Sequence, residues 1–192
     1  MTPFEYLSVL ISIILGLAIA QLLAGTARLV QLRRRVRPHA TTLLWVAILF
    51  LIDTQIWWAA FERREELHWN FFLFLFYLLM PILAFLLSAL VLPELGNEDE
   101  IDLAANFAGN RPWFFGLLAL LPITSLIDEA LGSGGLPSWD ADVAFRALFA
   151  AMALMAAMVR SARFHFWIAL ASLVLLCSYV ALLFLYLEPG HG

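Results

Sequence analysis

Apolar residues along this chain do not alternate with polar ones at the strand period; they run in six nearly unbroken blocks divided by short polar stretches. The blocks cover residues 4–27, 40–61, 70–92, 112–131, 139–159 and 164–187. Each is close to the ~20 residues that an α-helix, rising about 1.5 Å per residue, needs to cross hydrocarbon. A helix satisfies its backbone groups within one segment, whereas barrel strands would show a two-residue alternation that these blocks lack. The pattern predicts an all-α fold: an integral membrane bundle of six transmembrane helices, with residues 1–192 forming a single transmembrane domain.

Arginine placement predicts which way the bundle faces. Arg28, Arg33, Arg34, Arg35, Arg37, Arg111, Arg160 and Arg163 fall on one side, while Arg63, Arg64 and Arg146 fall on the other. Cytoplasmic loops collect the basic residues, so the expected topology is N-out and C-out. Five acids between Glu94 and Asp102 lie on the arginine-rich side but weigh little in this rule. No basic residues precede the first block and no small-residue cleavage site follows it, so it reads as a first span.

Composition narrows the reading further. Hydrophobic residues make up 64% and charged residues 14% of the chain, against roughly a quarter charged in soluble domains, which excludes a soluble globular fold. The net charge of −4 hides a segregation, with arginines clustered at 28–37 and acids at 94–102. A lone cysteine, Cys177, rules out an intrachain disulfide and a cysteine metal cluster. No Gly-rich phosphate cradle, nucleophilic triad or helical metal-ligand pair stands in the sequence. Enzymatic activity, a cofactor, a metal and a nucleic-acid partner are therefore not expected. His39 and His165, at corresponding ends of their spans, are the only geometric candidates for axial haem ligation, and no signature spacing supports them.

A charge at membrane depth is costly enough to need a reason, and this singles out Asp53 and Arg146. Asp53 lies about 20 Å from one end of its span and about 12 Å from the other; Arg146 lies about 12 Å inside the fifth span from the N-terminal side. Asp128 and Glu129 belong to the same outer third, with Glu5 and Asn70, so polar groups from five helices are expected to share one layer. Asp53, Arg146, Asp128 and Glu129 form the candidate ion or solute pocket, with Arg146 as candidate counter-charge to Asp53. A competing partner for Arg146 is Asp142, four residues earlier on the same helix.

Two further features invite contacts. Ser8, Ser12, Gly16, Ala20 and Ala24 recur every four residues, a spacing that lets helix backbones approach closely. Packing within the chain is the first expectation for this face and a homodimer the alternative. Arg33, Arg34, Arg35 and Arg37 are placed to meet anionic lipid headgroups, and the nearby acids to pair with them or to dock a protein partner. Pro81 and Pro122 interrupt the third and fourth spans, each removing a backbone donor and predicting a kink.

The stretches FEYLSVLISIILGLAIAQLLAG, TQIWWAAF and NRPWFFGLLAL resemble a group of uncharacterised small bacterial multi-pass inner-membrane proteins. The resemblance implies a bacterial inner membrane and transfers no site residues. The function expected from the residues is a proton, ion or small-solute channel or transporter with a polar pocket in its outer half. The alternative is a non-transporting scaffold or partner subunit that docks through its charged cytoplasmic loops.

Overall fold

A computed structural model describes residues 3–62, 71–93, 100–133 and 139–183. Within them the chain forms α1 (Pro3–Gln31), β1 (Val36–Arg37), α2 (Ala40–Glu62), α3 (Phe71–Val91), β2 (Ile101–Asp102), α4 (Leu103–Ser133), α5 (Ala141–Met158) and α6 (Ala162–Leu183). All six helices are long and apolar enough to cross a bilayer. Arg63, Arg64, Asn70, Glu94, Glu98 and Asp99 lie outside the described residues, as does the side chain of Glu5.

Packing between the helices follows a ring, α1–α3–α4–α5–α6–α2, with α2 also leaning across it onto α3. The most extensive contacts join α4 to α5 and α1 to α3. On α1 the inward stripe is Leu7, Ile11, Leu15, Ala18 and Leu22, each step three or four residues, and its leucines and isoleucine meet Trp45, Ile48 and Leu49 of α2 and Leu83 and Leu87 of α3 in one core. The outward faces are equally apolar: Ile13, Leu17, Leu23, Leu75, Leu154 and Val174 are all exposed. Apolarity all round a helix is the mark of a membrane span, whose exterior meets lipid rather than water. With no hydrophobic drive separating core from lipid, helix association rests on close packing and on a few interhelical polar contacts.

At one end of the bundle, β1 and β2 pair in parallel, Val36 opposite Ile101 and Arg37 opposite Asp102. Ile101 N–H donates to the Arg35 carbonyl at 2.8 Å, and Arg37 Nε meets Glu100 Oε1 at 2.7 Å. The α1–α2 and α3–α4 connections are thereby tied together, and the arginine and acidic segments neutralise each other in part. We call this the ladder end, and the opposite one, where α1 begins, the N-terminal end.

Helix α4 begins at Leu103, nine residues before the position 112 expected from hydropathy. Residues 103–111 include Asn106, Asn110 and Arg111, which dilute the apolar signal without opposing helix formation. Asp102 fixes the start, its Oδ1 accepting from Ala104 N–H at 2.9 Å and Ala105 N–H at 3.0 Å. Asp140 caps α5 in the same way, accepting from Val143 N–H at 2.9 Å.

The small-residue stripe of α1 does not serve as the intramolecular packing face expected of it. Ser12, Gly16, Ala20 and Ala24 are exposed, and a Cβ added at Gly16 would meet nothing within 4 Å. Each lies one or two positions from an inward residue, and one position turns the helix by about 100°. The α1 glycine that does face a neighbour is Gly25, where a Cβ would come within 2.7 Å of Leu92 Cδ1, the end of a leucine side chain just past α3. Ser12 keeps one contact inside the chain, accepting a hydrogen bond from Trp57 Nε1 at 3.2 Å.

Candidate functional site

A cavity of about 320 Å³ opens in the N-terminal half of the bundle, with walls drawn from all six helices. On α2 it is lined by Ile52, Gln55, Ile56 and Ala59, a stripe with the helical three-and-four spacing. Helices α3 and α4 contribute their internal prolines, Pro81 and Pro122. Most of the lining is apolar, from Met80, Leu121, Phe149 and Leu176 among others, and the charged groups lie on α4 and α5.

Arg146 organises that polar wall. Its side chain is nine-tenths buried; one terminal nitrogen donates to Ser125 Oγ at 3.2 Å, while the other meets both Glu129 and Asp142. Tyr179 completes the set, its hydroxyl donating to the second oxygen of Asp142 at 2.8 Å and its ring packing edge-on against Phe145 at 5.6 Å. One guanidinium thus joins α4 to α5, and Asp142 carries the connection to α6. Glu129 and Asp142 line the cavity and keep 30% and 33% of their side chains exposed, so the buried cation is neutralised by partly accessible carboxylates. Asp128 lines the same cavity.

Asp53 stands apart from this cluster. It is fully buried, accepts one long hydrogen bond from Ser88 Oγ of α3 at 3.4 Å, and its other oxygen has no hydrogen-bond partner. The expected pairing of Asp53 with Arg146 is replaced by the Arg146–Glu129 and Arg146–Asp142 pairs. Helix geometry gives the reason. With Ile52 and Ile56 on the cavity face, Asp53 is rotated by about 100° from Ile52 and points to α3. Of the four pocket residues expected from sequence, Arg146, Asp128 and Glu129 line one cavity and Asp53 does not.

Residues that sequence reasoning passed over complete the wall: Tyr179, Ser125, Gln55 and Tyr77. Tyr179 and Gln55 carried a legible signal, since each is a polar group in an apolar run at the depth of Arg146. Ser125 lies within the first turn before Glu129 on α4, so its alignment with that carboxylate follows from four-residue spacing.

The ladder end carries a different arrangement. His39 Nδ1 shares a hydrogen bond with Thr42 Oγ1 at 2.9 Å, and His165 Nε2 one with the Val159 carbonyl at 2.9 Å. The Phe107 ring packs against both imidazoles, centroids 5.5 Å and 5.4 Å away, so the haem geometry considered for this pair meets an aromatic wedge. Burial holds the His39 imidazole below its ordinary value of 6.5, with Asp102 opposing the shift. The amides of Ala105 and Ala104, with Arg37 and His39 nearby, hold the Asp102 carboxyl below the usual carboxylate range. Arg33, Arg34 and Arg35 are exposed beside this layer, and Arg37 is engaged with Glu100.

Six long apolar helices around a common core define an all-α bundle consistent with a multi-pass membrane protein. Comparison with protein-family models, with curated proteins and with solved structures gives no match, so the site is read from its own geometry.

Proposed function

We propose that this chain is a multi-pass protein of a bacterial inner membrane that binds and passes an ion or small solute through the cavity between its six helices. The observation that carries the reading is the cavity itself, drawn from every helix and bearing a charge cluster on an otherwise apolar wall. Charged groups at membrane depth are costly and characteristically mark substrate or ion pathways. In the N-out, C-out orientation the cavity lies in the outer half of the bilayer. Arg146, Glu129 and Asp128 are its polar contacts, and Asp53 acts through the α2–α3 packing that sets one wall. Arg33, Arg34, Arg35 and Arg37 face the inner leaflet, where arginines attract anionic headgroups. The exposed part of the α1 stripe, Ser12, Gly16, Ala20 and Ala24, is the face for a homodimer. A docking role for the charged loops has less support, because Arg37 and Glu100 are spent on each other.

Flux in proteoliposomes tests the proposal. Wild type should move at least one of a panel of inorganic ions and small organic solutes above protein-free vesicles, and Glu129→Gln should change that flux while remaining folded. Equal leakage with and without protein across the panel would overturn it.

A further inference from the structure

We propose, building on the solute-binding reading of the cavity, that its ligand is an organic cation with an apolar body, a quaternary or protonated amine. Two independent features of the wall point there. The first is charge: Glu129 and Asp142 share the single guanidinium of Arg146, which leaves that trio with a formal charge of −1. An anion would approach two carboxylates and find both terminal nitrogens of Arg146 already committed to Ser125, Glu129 and Asp142, with only the buried Nε left without a partner. The second feature is aromatic. Phe145, Phe149 and Tyr179 line the cavity from α5 and α6, and Phe76 lines it from α3. Aromatic faces attract cations through the ring quadrupole, most strongly where water is excluded, and cages of such rings are a recurring solution for quaternary ammonium groups.

The rest of the lining decides between an organic and an inorganic cation. A bare metal ion needs a shell of about six oxygen ligands. Here the carboxylates gather on α4 and α5, Gln55 and Tyr77 add single polar groups from α2 and α3, and most of the remaining surface is apolar, which suits a cationic head with a hydrocarbon or aryl body. A volume of about 320 Å³ lies at the small end of the ~300–1,000 Å³ range of small-molecule sites. Arg146 then acts as an internal cation, and the ligand's head competes with it for Glu129 and Asp142. Binding would loosen the α4–α5 bridge, coupling occupancy to the contact between these two helices.

The test is calorimetric titration of the intact protein in lipid nanodiscs with three probes of similar size: benzyltrimethylammonium, benzyl alcohol and benzenesulfonate. The proposal predicts saturable binding of benzyltrimethylammonium, at least about tenfold tighter than either other probe. Glu129→Gln, which keeps an acceptor for Arg146, and Phe145→Leu, which keeps an apolar wall, should each weaken the cation about tenfold. Preference for the alcohol or the sulfonate would overturn the cation assignment and leave the cavity standing as a solute site. Absence of binding by all three would overturn both readings. Cation binding that neither variant weakens would place the ligand elsewhere and overturn this site. Because the three-probe comparison is made on the wild type, the assignment can fail even where a variant does not fold.

Discussion

Arg146 and Asp53 are both charged-type residues inside apolar helices, and the structure treats them in opposite ways. Arg146 is held by two carboxylates and a serine, so its partners depend on it as much as it depends on them. Removing one member of a buried ion pair characteristically costs about 3–5 kcal/mol. With Glu129 and Asp142 a third exposed, Arg146→Met should cost roughly 3 kcal/mol, the low end of that range, and lower the melting temperature in detergent. Arg146→Lys should recover only part of the loss, because an ammonium cannot hold Ser125 and the carboxylates with separate nitrogens of one rigid fork. Asp53 has a single long hydrogen bond from Ser88 and an oxygen without a partner. Asp53→Asn keeps the shape and an acceptor for Ser88, so its melting temperature should stay within the equivalent of about 1 kcal/mol of wild type. A collapse of the fold in Asp53→Asn would show that the carboxylate holds a structural contact beyond Ser88. The cost of burying Asp53 was legible from its place in an apolar run. Its direction was not, because one residue of rotation separates the cavity face of α2 from the α3 face, and hydropathy carries no azimuth in a helix that is apolar all round.

The helices themselves followed from uninterrupted apolarity, but their ends and faces depended on local chemistry. The early start of α4 rests on the Asp102 cap, and the two short strands rest on a pairing between segments more than sixty residues apart. Replacing Asp102 with Ala should fray the first turn of α4 and loosen the ladder, read as faster amide exchange at Ala104 and Ala105. The same end should be sensitive to acid. His39 and Asp102 both bind protons less readily in the folded protein than in the unfolded chain. Their stabilising contributions are therefore present above the ordinary values of 6.5 and 3.8, and each is lost as pH falls from there through the folded value. Melting curves should show a first decline below pH 6.5 that His39→Asn makes shallower. Among the glycines of α1, contacts decide the outcome. Gly25→Leu drives a side chain into Leu92 and should cost about 1–3 kcal/mol, whereas Gly16→Leu meets nothing in the chain and should leave its melting unchanged. If two copies associate through the α1 stripe, Gly16→Leu should abolish the dimer in cross-linking while sparing the monomer.

At the scale of the molecule, the polar layer follows from the direction in which successive helices run. Short connections force consecutive helices antiparallel, so the C-terminal halves of α2, α4 and α6 meet the N-terminal halves of α1, α3 and α5. That alternation is why an outer-third layer could be inferred from counting residues, and why Arg146, Glu129 and Asp128 come together at one end. Counting could not reveal which helices are neighbours, and so could not reveal that Tyr179 of α6 reaches Asp142 of α5. The central claim is that this layer encloses a cavity reached from the N-terminal side, and cysteine accessibility tests it most directly. In a Cys177→Ala background, single cysteines at Ala59 and Ser125, which line the cavity, are compared with one at Ala153, buried in the core. The membrane-impermeant cation 2-(trimethylammonium)ethyl methanethiosulfonate is added to sealed vesicles from each side in turn. Ala59→Cys and Ser125→Cys should react from the N-terminal side only, and Ala153→Cys from neither. Cavity cysteines as inert as Ala153→Cys, or modified from the ladder side instead, would contradict it.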